Sequence, residues 1–173
     1  MPLAVRKIDN KILWEAPLDE EQKKWLGERD LCADALEDLF TVKNTLSIFL
    51  IDENVSEERI FIALSAARNS VQDIDYVIFD LSACDDLEIE CTAVEGDTPD
   101  NAVNKVHRDL IQLTATKVAA LGNLMKQRGQ TRRVRYKTVG RSINSSIGAG
   151  SLDLARMDAA LKESLQKDKY APR

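Results

Sequence analysis

The sequence predicts an α+β domain in which a mixed β-sheet of about five or six strands packs against a long amphipathic helix. Short apolar runs rich in β-branched residues alternate along the chain with segments whose apolar residues recur at helical spacing. The length of 173 residues suits one domain, and 44% hydrophobic with 31% charged residues is a globular composition. We therefore expect a single domain over residues 1–173, with a flexible loop at 142–151 and a frayed tail at 167–173.

The N-terminal part is predicted to hold a hairpin and two helices. Residues 3–8 and 11–15 have strand-like patterns on either side of an Asp-Asn dipeptide, which favours a tight turn. Asp19, with Gln22 three residues later, has the spacing of a capping box and predicts the start of a helix. Apolar residues at helical spacing predict a second helix over 30–40.

A strand–helix–strand unit is predicted next. The runs 45–51 and 76–79 are short, apolar and rich in β-branched or aromatic residues, which is typical of buried strands. Ser56 is a favourable N-cap for a helix between them, and this helix should end near Asn69. If the two strands pair in parallel, the three elements form a right-handed βαβ unit.

The remaining elements are predicted to be two charged strands and two helices. Alternation over 86–93 predicts a half-buried strand with an acidic outer face. A continuous apolar stripe predicts one helix over 98–129, which would be roughly 45 Å long. Alternation over 131–139 predicts a strand with a basic outer face, and a last helix is expected to start at Ser151. The long helix exceeds what one small domain needs, which favours a role at an interface.

The positive charge is concentrated in one segment. The formal net charge is −5, yet seven of the 24 basic residues and none of the 29 acidic ones lie between Lys126 and Arg141. Alternate residues on one face of a strand are about 6.7 Å apart, so a row of cations there can follow a phosphate backbone. The candidate nucleic-acid or anion-binding residues are Arg128, Arg132, Arg133, Arg135, Lys137 and Arg141.

A second interpretation of these cations is pairing with carboxylates of the protein itself. Asp86, Glu88 and Glu90 give the predicted strand over 86–93 its acidic face. Rows of opposite charge on neighbouring strands attract each other. Such pairs can form within one molecule or between copies, and we favour this interpretation over binding of nucleic acid.

Two aspartates are candidate metal ligands. Asp52 and Asp80 each directly follow a predicted buried strand, and ligands of open α/β sheets bind at the carboxyl ends of strands. Carboxylate oxygens there can hold Mg²⁺, which would fit an enzyme acting on a phosphate substrate. Aspartate is also common wherever a strand turns into a loop, which is the favoured interpretation.

Three further features suggest no specific chemistry. His107, the only histidine, is predicted to lie on the surface of the long helix. The segment 147–151 holds two glycines before a predicted helix, but it lacks the dinucleotide and phosphate-loop patterns and is expected to be a connector. Cys32, Cys84 and Cys91 have no metal-site or disulfide-framework spacing.

The sequence favours a non-catalytic binding or regulatory protein that acts through protein–protein contacts or self-association. Serine-hydrolase, zinc-protease, calcium-loop and kinase motifs are absent from the sequence. The alternatives are a nucleic-acid-binding protein that uses 128–141, and a magnesium-dependent enzyme on a phosphate substrate. No apolar run approaches the ~20 residues of a membrane span, and the N-terminus lacks a signal-like core, so a cytoplasmic protein without a membrane partner is expected.

Overall fold

The computed structural model describes residues 2–15, 19–27, 30–166 and 170. Within these residues six strands form one open sheet in the order β4-β5-β2-β1-β3-β6. The predicted α+β class, with one sheet of five or six strands, is confirmed. The strands are β1 (Leu3–Ile8), β2 (Leu46–Ile51), β3 (Ile74–Asp80), β4 (Glu90–Ala93), β5 (His107–Ile111) and β6 (Gln130–Val134).

Helices cover both faces of this sheet. The α-helices are α1 (Lys11–Glu15), α2 (Glu57–Ala66), α3 (Ser82–Asp85), α4 (Asn101–Lys105), α5 (Ala115–Arg128), α6 (Tyr136–Gly148) and α7 (Ala159–Leu165). Short 3₁₀ helices span Gln22–Lys24, Ala33–Leu39 and Leu154–Arg156. None of the described helices is both long enough and apolar enough to cross a membrane.

The two faces of the sheet carry separate hydrophobic cores. Val5 and Ile78 point to a first core, which α2, α6 and α7 cover. Ala4 and Val77, their chain neighbours, point to a second core, which α1, α3, α5 and the 3₁₀ helix Ala33–Leu39 cover. Successive side chains of a strand face opposite sides, so β1 and β3 serve both cores. Both are inner strands of the sheet.

The predicted strand–helix–strand unit is present as β2, α2 and β3, but β1 lies between its two strands in the sheet. β1 pairs antiparallel with both β2 and β3, and Leu3 lies opposite Ile51 on one side and Asp80 on the other. β2 and β3 therefore run in the same direction without touching. Every ladder between neighbouring strands is antiparallel. The expectation of a mixed sheet was therefore wrong.

The predicted N-terminal hairpin is wrong, because residues 11–15 form α1. The Asn10 side chain accepts a hydrogen bond from the Ile12 amide at 3.1 Å, and the Lys11 amide donates to Asp75 at 2.8 Å. These contacts start a helix rather than a tight turn. The capping box is confirmed, since Asp19 and Gln22 each accept from the other's amide, at 2.7 and 3.1 Å. The helices predicted after it shrink to 3₁₀ turns.

The predicted long helix over 98–129 is also wrong. It divides into α4, the strand β5 and α5. Gln112 takes a left-handed conformation with φ of 55°, and the Thr114 side chain caps α5 by accepting from the Lys117 amide. The apolar stripe is real, but Leu110 is fully buried as a strand residue. The argument for an interface from the length of this helix therefore falls away.

The segment 142–151, predicted as a flexible loop, is mostly α6. The helix buries Val139 and Ile143 and turns its Ser- and Asn-rich side outward. Gly140 lets Tyr170 pack directly against the helix, because a β-carbon at this position would overlap the aromatic ring. Tyr170 is the one residue of the predicted frayed tail within the described ranges, and it is buried.

Candidate anion-binding pocket

A pocket of about 510 Å³ opens where α2 and α6 pack side by side on the first core. Most of its lining residues are polar or charged, and serine is the commonest residue type. Ile62 of α2 is the one large apolar side chain among them. The lining residues are Ser56, Glu58, Arg59, Ile62, Asp100, Arg141, Ser142, Ser145, Ser146 and Ser151.

Two helix caps and an ion pair build one side of this pocket. The Ser56 hydroxyl caps α2 by accepting from the Arg59 amide at 3.2 Å. Asp100 caps α4 by accepting from the amides of Ala102 and Val103. Arg59 also donates two hydrogen bonds to the buried Asp100 carboxylate, at 2.6 and 3.0 Å, which raises the pKa of Arg59. This side of the pocket is therefore held in one geometry.

α6 supplies the opposite side of the pocket. Val139 and Ile143 face the core, while Arg141, Ser142 and Ser145 lie on an adjacent part of the helix surface and line the pocket. The position of α6 is set from behind, because the Asn144 side-chain amide donates to the carbonyl groups of Leu165 and Tyr170. These contacts hold α6 in place and do not involve the hydroxyl groups of its serines.

Arg141 carries an unsatisfied polar group in this pocket. Its Nε atom is buried and has no hydrogen-bond partner within the described part of the chain, nor does the guanidinium form an ion pair there. Leaving a buried donor without a partner costs about 1–3 kcal/mol, and such groups are rare in native proteins. Because protein atoms cover Nε, an anion in the pocket would bind the guanidinium through its two terminal nitrogen atoms.

Several hydroxyl groups in the wall are free to bind a ligand. Ser142, Ser145 and Ser146 make no side-chain hydrogen bond to any described residue. The Ser151 hydroxyl differs, because it donates to the Ser146 carbonyl at 3.0 Å. Glu58 forms no ion pair with the described residues, and its carboxylate is the unengaged acceptor of the wall.

A second, smaller pocket of about 340 Å³ adjoins the first. The two share Arg59, Asp100 and Ser151, so the Arg59–Asp100 ion pair stands between them. The smaller pocket is lined by the start of α4 and by the segment Gly150–Asp153. Gly150 has a φ of 70°, a left-handed conformation that glycine adopts without strain.

Three of the cations predicted to bind an anion pair with carboxylates of the same chain instead. Arg133 of β6 lies opposite Asp75 of β3 and donates two hydrogen bonds to it, at 2.7 and 2.6 Å. Arg135 donates to Asp73 at 2.9 Å, and Arg128 donates to Asp86 at 2.6 Å.

The strand predicted to pair its acidic face with the cations is not the neighbour of β6. β4 contains only Glu90 of the three predicted acidic residues and lies at the opposite edge of the sheet from β6, so no acidic row on β4 faces the cations of β6 within one molecule. Asp86, which lies outside β4, pairs with Arg128. Arg133 instead pairs with Asp75 on β3, the neighbour of β6, and Arg135 pairs with Asp73 just before β3. Pairing of the cations within the molecule is thus observed at Arg133, with a different strand from the one expected.

The other predicted cations are dispersed. Arg132 donates to Gln130 at 2.6 Å and lies 4.0 Å from Glu57. Lys137 is exposed on α6 and forms no ion pair with the described residues. Arg141, four residues further along α6, is the one member of the predicted set that lines the pocket.

The two candidate metal ligands lie at the same end of the sheet, as predicted, but β1 separates the strands that carry them. Two strand spacings put those strand ends about 10 Å apart. Asp52 accepts the amides of Asn54 and Val55, and Asp80 accepts the amide of Ser82, which lowers the pKa of Asp80. Nowhere in the described ranges do three or more His, Cys, Asp or Glu side chains come together as a metal site.

His107 lies in β5 rather than on a helix surface. Its Nδ1 is 3.1 Å from the Val94 carbonyl, and its Nε2 is 3.6 Å from Asp109. Ser47 donates to the same carboxylate at 3.0 Å. Because the serine bonds to the aspartate and not to the histidine, this cluster lacks the serine–base contact of a catalytic triad.

Cys84 and Cys91 are not poised for reaction. Burial raises the pKa of Cys84 to about 12 and also raises the pKa of Cys91. A thiol with a raised pKa is protonated at neutral pH and is a poor nucleophile.

Sequence reasoning missed most of the pocket. Val139, Ile143 and Ile147 recur every four residues and could have identified α6 despite its polar composition. Arg59 and Asp100 had no signal, since the two residues are 41 positions apart in the sequence and meet only in the folded chain. No protein-family model matches the chain, and no curated protein or solved structure matches it either.

Proposed function

We propose that the protein is a non-catalytic binding protein that holds a small, anion-bearing ligand in the pocket between α2 and α6. The observation that carries this proposal is the Arg141 guanidinium, which lines the pocket and makes no hydrogen bond or ion pair to the described residues. A guanidinium without a counter-charge in a pocket wall is suited to binding an anion.

The composition of the wall supports binding rather than catalysis. Its polar groups are serines, two arginines and two carboxylates, and one carboxylate is engaged by Arg59. Serine needs an adjacent base to act as a nucleophile, and no histidine lines the pocket. Donors and acceptors in a concave polar site are what recognition of a small ligand requires.

The proposal is tested by calorimetric titration with small anions of two classes, inorganic phosphate and acetate. We expect saturable binding of at least one of them to the native protein. Arg141→Met should weaken it roughly tenfold or more, because a charge-assisted hydrogen bond contributes about 1.5–3 kcal/mol.

Lys137→Met is the matched control, since it removes the same charge from the same helix one turn earlier. Binding should be unchanged in this variant. Equal weakening by both substitutions, or no anion binding by the native protein, would overturn the proposal.

A second candidate function is self-association through opposite edges of the sheet. It is supported by the charge of these edges, because Glu90 on β4 and Arg132 on β6 are both exposed. Edge strands have unpaired backbone groups that another chain can engage. Sedimentation at low salt should then show oligomers that Arg132→Glu dissolves and that Arg132→Glu with Glu90→Arg restores; a monomer throughout would refute it.

Nucleic acid is a weaker candidate partner. Arg128, Arg133 and Arg135 are each paired with a carboxylate of the chain, so fewer cations are available for a phosphate backbone. The cytoplasmic location stays a prediction from the sequence.

A further inference from the structure

The inference drawn here rests on the proposed function and narrows the ligand class. We infer that the ligand is a phosphate monoester of a small hydroxyl-bearing molecule. Its phosphate lies against Arg141 and the serines of α6, and its hydroxyl groups lie toward Glu58 of α2.

The number of free donors favours phosphate over carboxylate. The Arg141 guanidinium has five N–H groups in a planar fork, and none of them has a partner among the described residues. The hydroxyls of Ser142, Ser145 and Ser146 are equally free. A carboxylate has two oxygens, and side-on binding to the arginine fork uses one lone pair of each. A phosphate ester has three terminal oxygens, so it can bind the fork with two of them and present the third to the serines.

The N-terminus of the neighbouring helix α2 contributes positive potential to the pocket as a whole. Ser56 lies at the N-terminus of α2, a helix of 10 residues, and lines the pocket. Helix N-termini carry a partial positive charge that stabilises nearby anions. Glu57 and Glu58 in the first turn partly compensate this charge.

Glu58 is an exposed carboxylate in the pocket wall that the body of the ligand can contact. It lines the pocket without an ion pair among the described residues, and a carboxylate can only accept hydrogen bonds when ionised. Beside a bare phosphate it would repel the ligand. Beside a phosphate ester with hydroxyl groups it accepts a hydrogen bond. The adjoining pocket extends the available space and adds a third carboxylate, that of Asp153.

The test compares inorganic phosphate, acetate, glycerol 3-phosphate and glycerol as probes in calorimetric titrations. We expect acetate to bind at least about tenfold more weakly than inorganic phosphate, because the serine hydroxyls remain unsatisfied. Glycerol 3-phosphate should bind more tightly than inorganic phosphate. Glycerol alone should not compete.

The Glu58→Met variant tests the binding of the phosphate group and the binding of the hydroxyl-bearing body separately. This variant should bind inorganic phosphate more tightly than the native protein, since a like charge is removed. It should also lose the preference for glycerol 3-phosphate over inorganic phosphate.

Each contrary result has one meaning. Acetate binding as tightly as phosphate, and in an Arg141-dependent manner, would overturn the phosphate assignment and leave the proposed function standing. Glycerol 3-phosphate binding no more tightly than phosphate would overturn the hydroxyl-bearing body. No Arg141-dependent binding of any anion would overturn both the inference and the proposed function.

Discussion

At the scale of single residues, Arg133 and Arg141 lie in contrasting environments. Arg133 is paired with the almost fully buried carboxylate of Asp75, which also accepts the Lys11 amide. Arg141 has its Nε buried without a partner. The first arrangement stabilises the junction of β3, β6 and α1, and the second offers a donor to something outside the chain.

The Asp75 pair should contribute measurably to stability. Asp75→Asn keeps the shape of the side chain but leaves Arg133 without its counter-charge, and we expect the free energy of unfolding to fall by roughly 2–4 kcal/mol. Asp73→Asn is the control, because its partner Arg135 is exposed and such pairs contribute less than about 1 kcal/mol. Urea unfolding at neutral pH measures both; equal losses would contradict this account.

The contribution of Asp73 to the free energy of unfolding should instead be detectable at acidic pH. The Tyr136 amide donates to its carboxylate, and this hydrogen bond, with a smaller contribution from Arg135, holds the pKa of Asp73 below its ordinary value. The unfolded chain therefore takes up the proton at higher pH than the native state does. The resulting stability is complete above about pH 4 and is lost as the pH falls through the native pKa.

This dependence is measured by urea unfolding between about pH 2.5 and 6 for the native protein and Asp73→Asn. The variant should lose less stability on acidification. Parallel curves would mean that the Tyr136 hydrogen bond does not favour the ionised form.

At the scale of elements, the decisive feature is the interruption between β5 and α5. Gln112 has a φ of 55°, which costs most side chains about 1 kcal/mol or more. Gln112→Val should lower the free energy of unfolding by about 1–2 kcal/mol, because a β-branched residue tolerates this conformation poorly. Gln112→Gly should change it by less than about 0.5 kcal/mol, as relief of strain offsets the added freedom of the unfolded chain.

The opposite order would apply in a continuous helix. There, glycine costs about 1 kcal/mol and valine about half as much. Unfolding experiments on the two variants therefore distinguish the observed break from the helix that the apolar stripe suggested.

The errors of sequence reasoning have a common physical origin at this scale. Strong local signals were reliable, as in the Ser56 cap and the apolar runs of β2 and β3. The stripe over 98–129 and the polar segment 142–151 misled, because tertiary packing decides whether Leu110 serves a strand and whether the serines sit on a helix. Strand order had no local signal, so the insertion of β1 between β2 and β3 was not predictable.

At the scale of the whole molecule, two cores on opposite faces of one sheet leave the pocket at the margin of the first core. Its wall consists of polar residues around Ile62, and none of its charged side chains fills either core. Of the pocket residues, Arg141 alone was anticipated from the sequence. The others come together only through the packing of α2 against α6 and the capping of α4.

This arrangement predicts that a substitution of Arg141 weakens anion binding without lowering the stability of the fold. Arg141→Met should unfold at the same temperature as the native protein or a higher one, since it removes an unsatisfied buried donor. Thermal unfolding followed by circular dichroism checks this. A clear loss of stability would mean that the guanidinium supports the fold, and loss of anion binding in that variant would no longer identify a site.

The central claim is that the Arg141 guanidinium binds an anionic ligand in the pocket, and a magnetic-resonance titration of arginine side chains tests it most directly. The Nε–H resonance of Arg141, assigned by its absence in Arg141→Lys, should shift saturably as inorganic phosphate is added. The resonance of Arg133, already paired with Asp75, should stay in place. An Arg141 resonance that does not move, at phosphate concentrations that shift exposed arginines such as Arg132, would contradict the account.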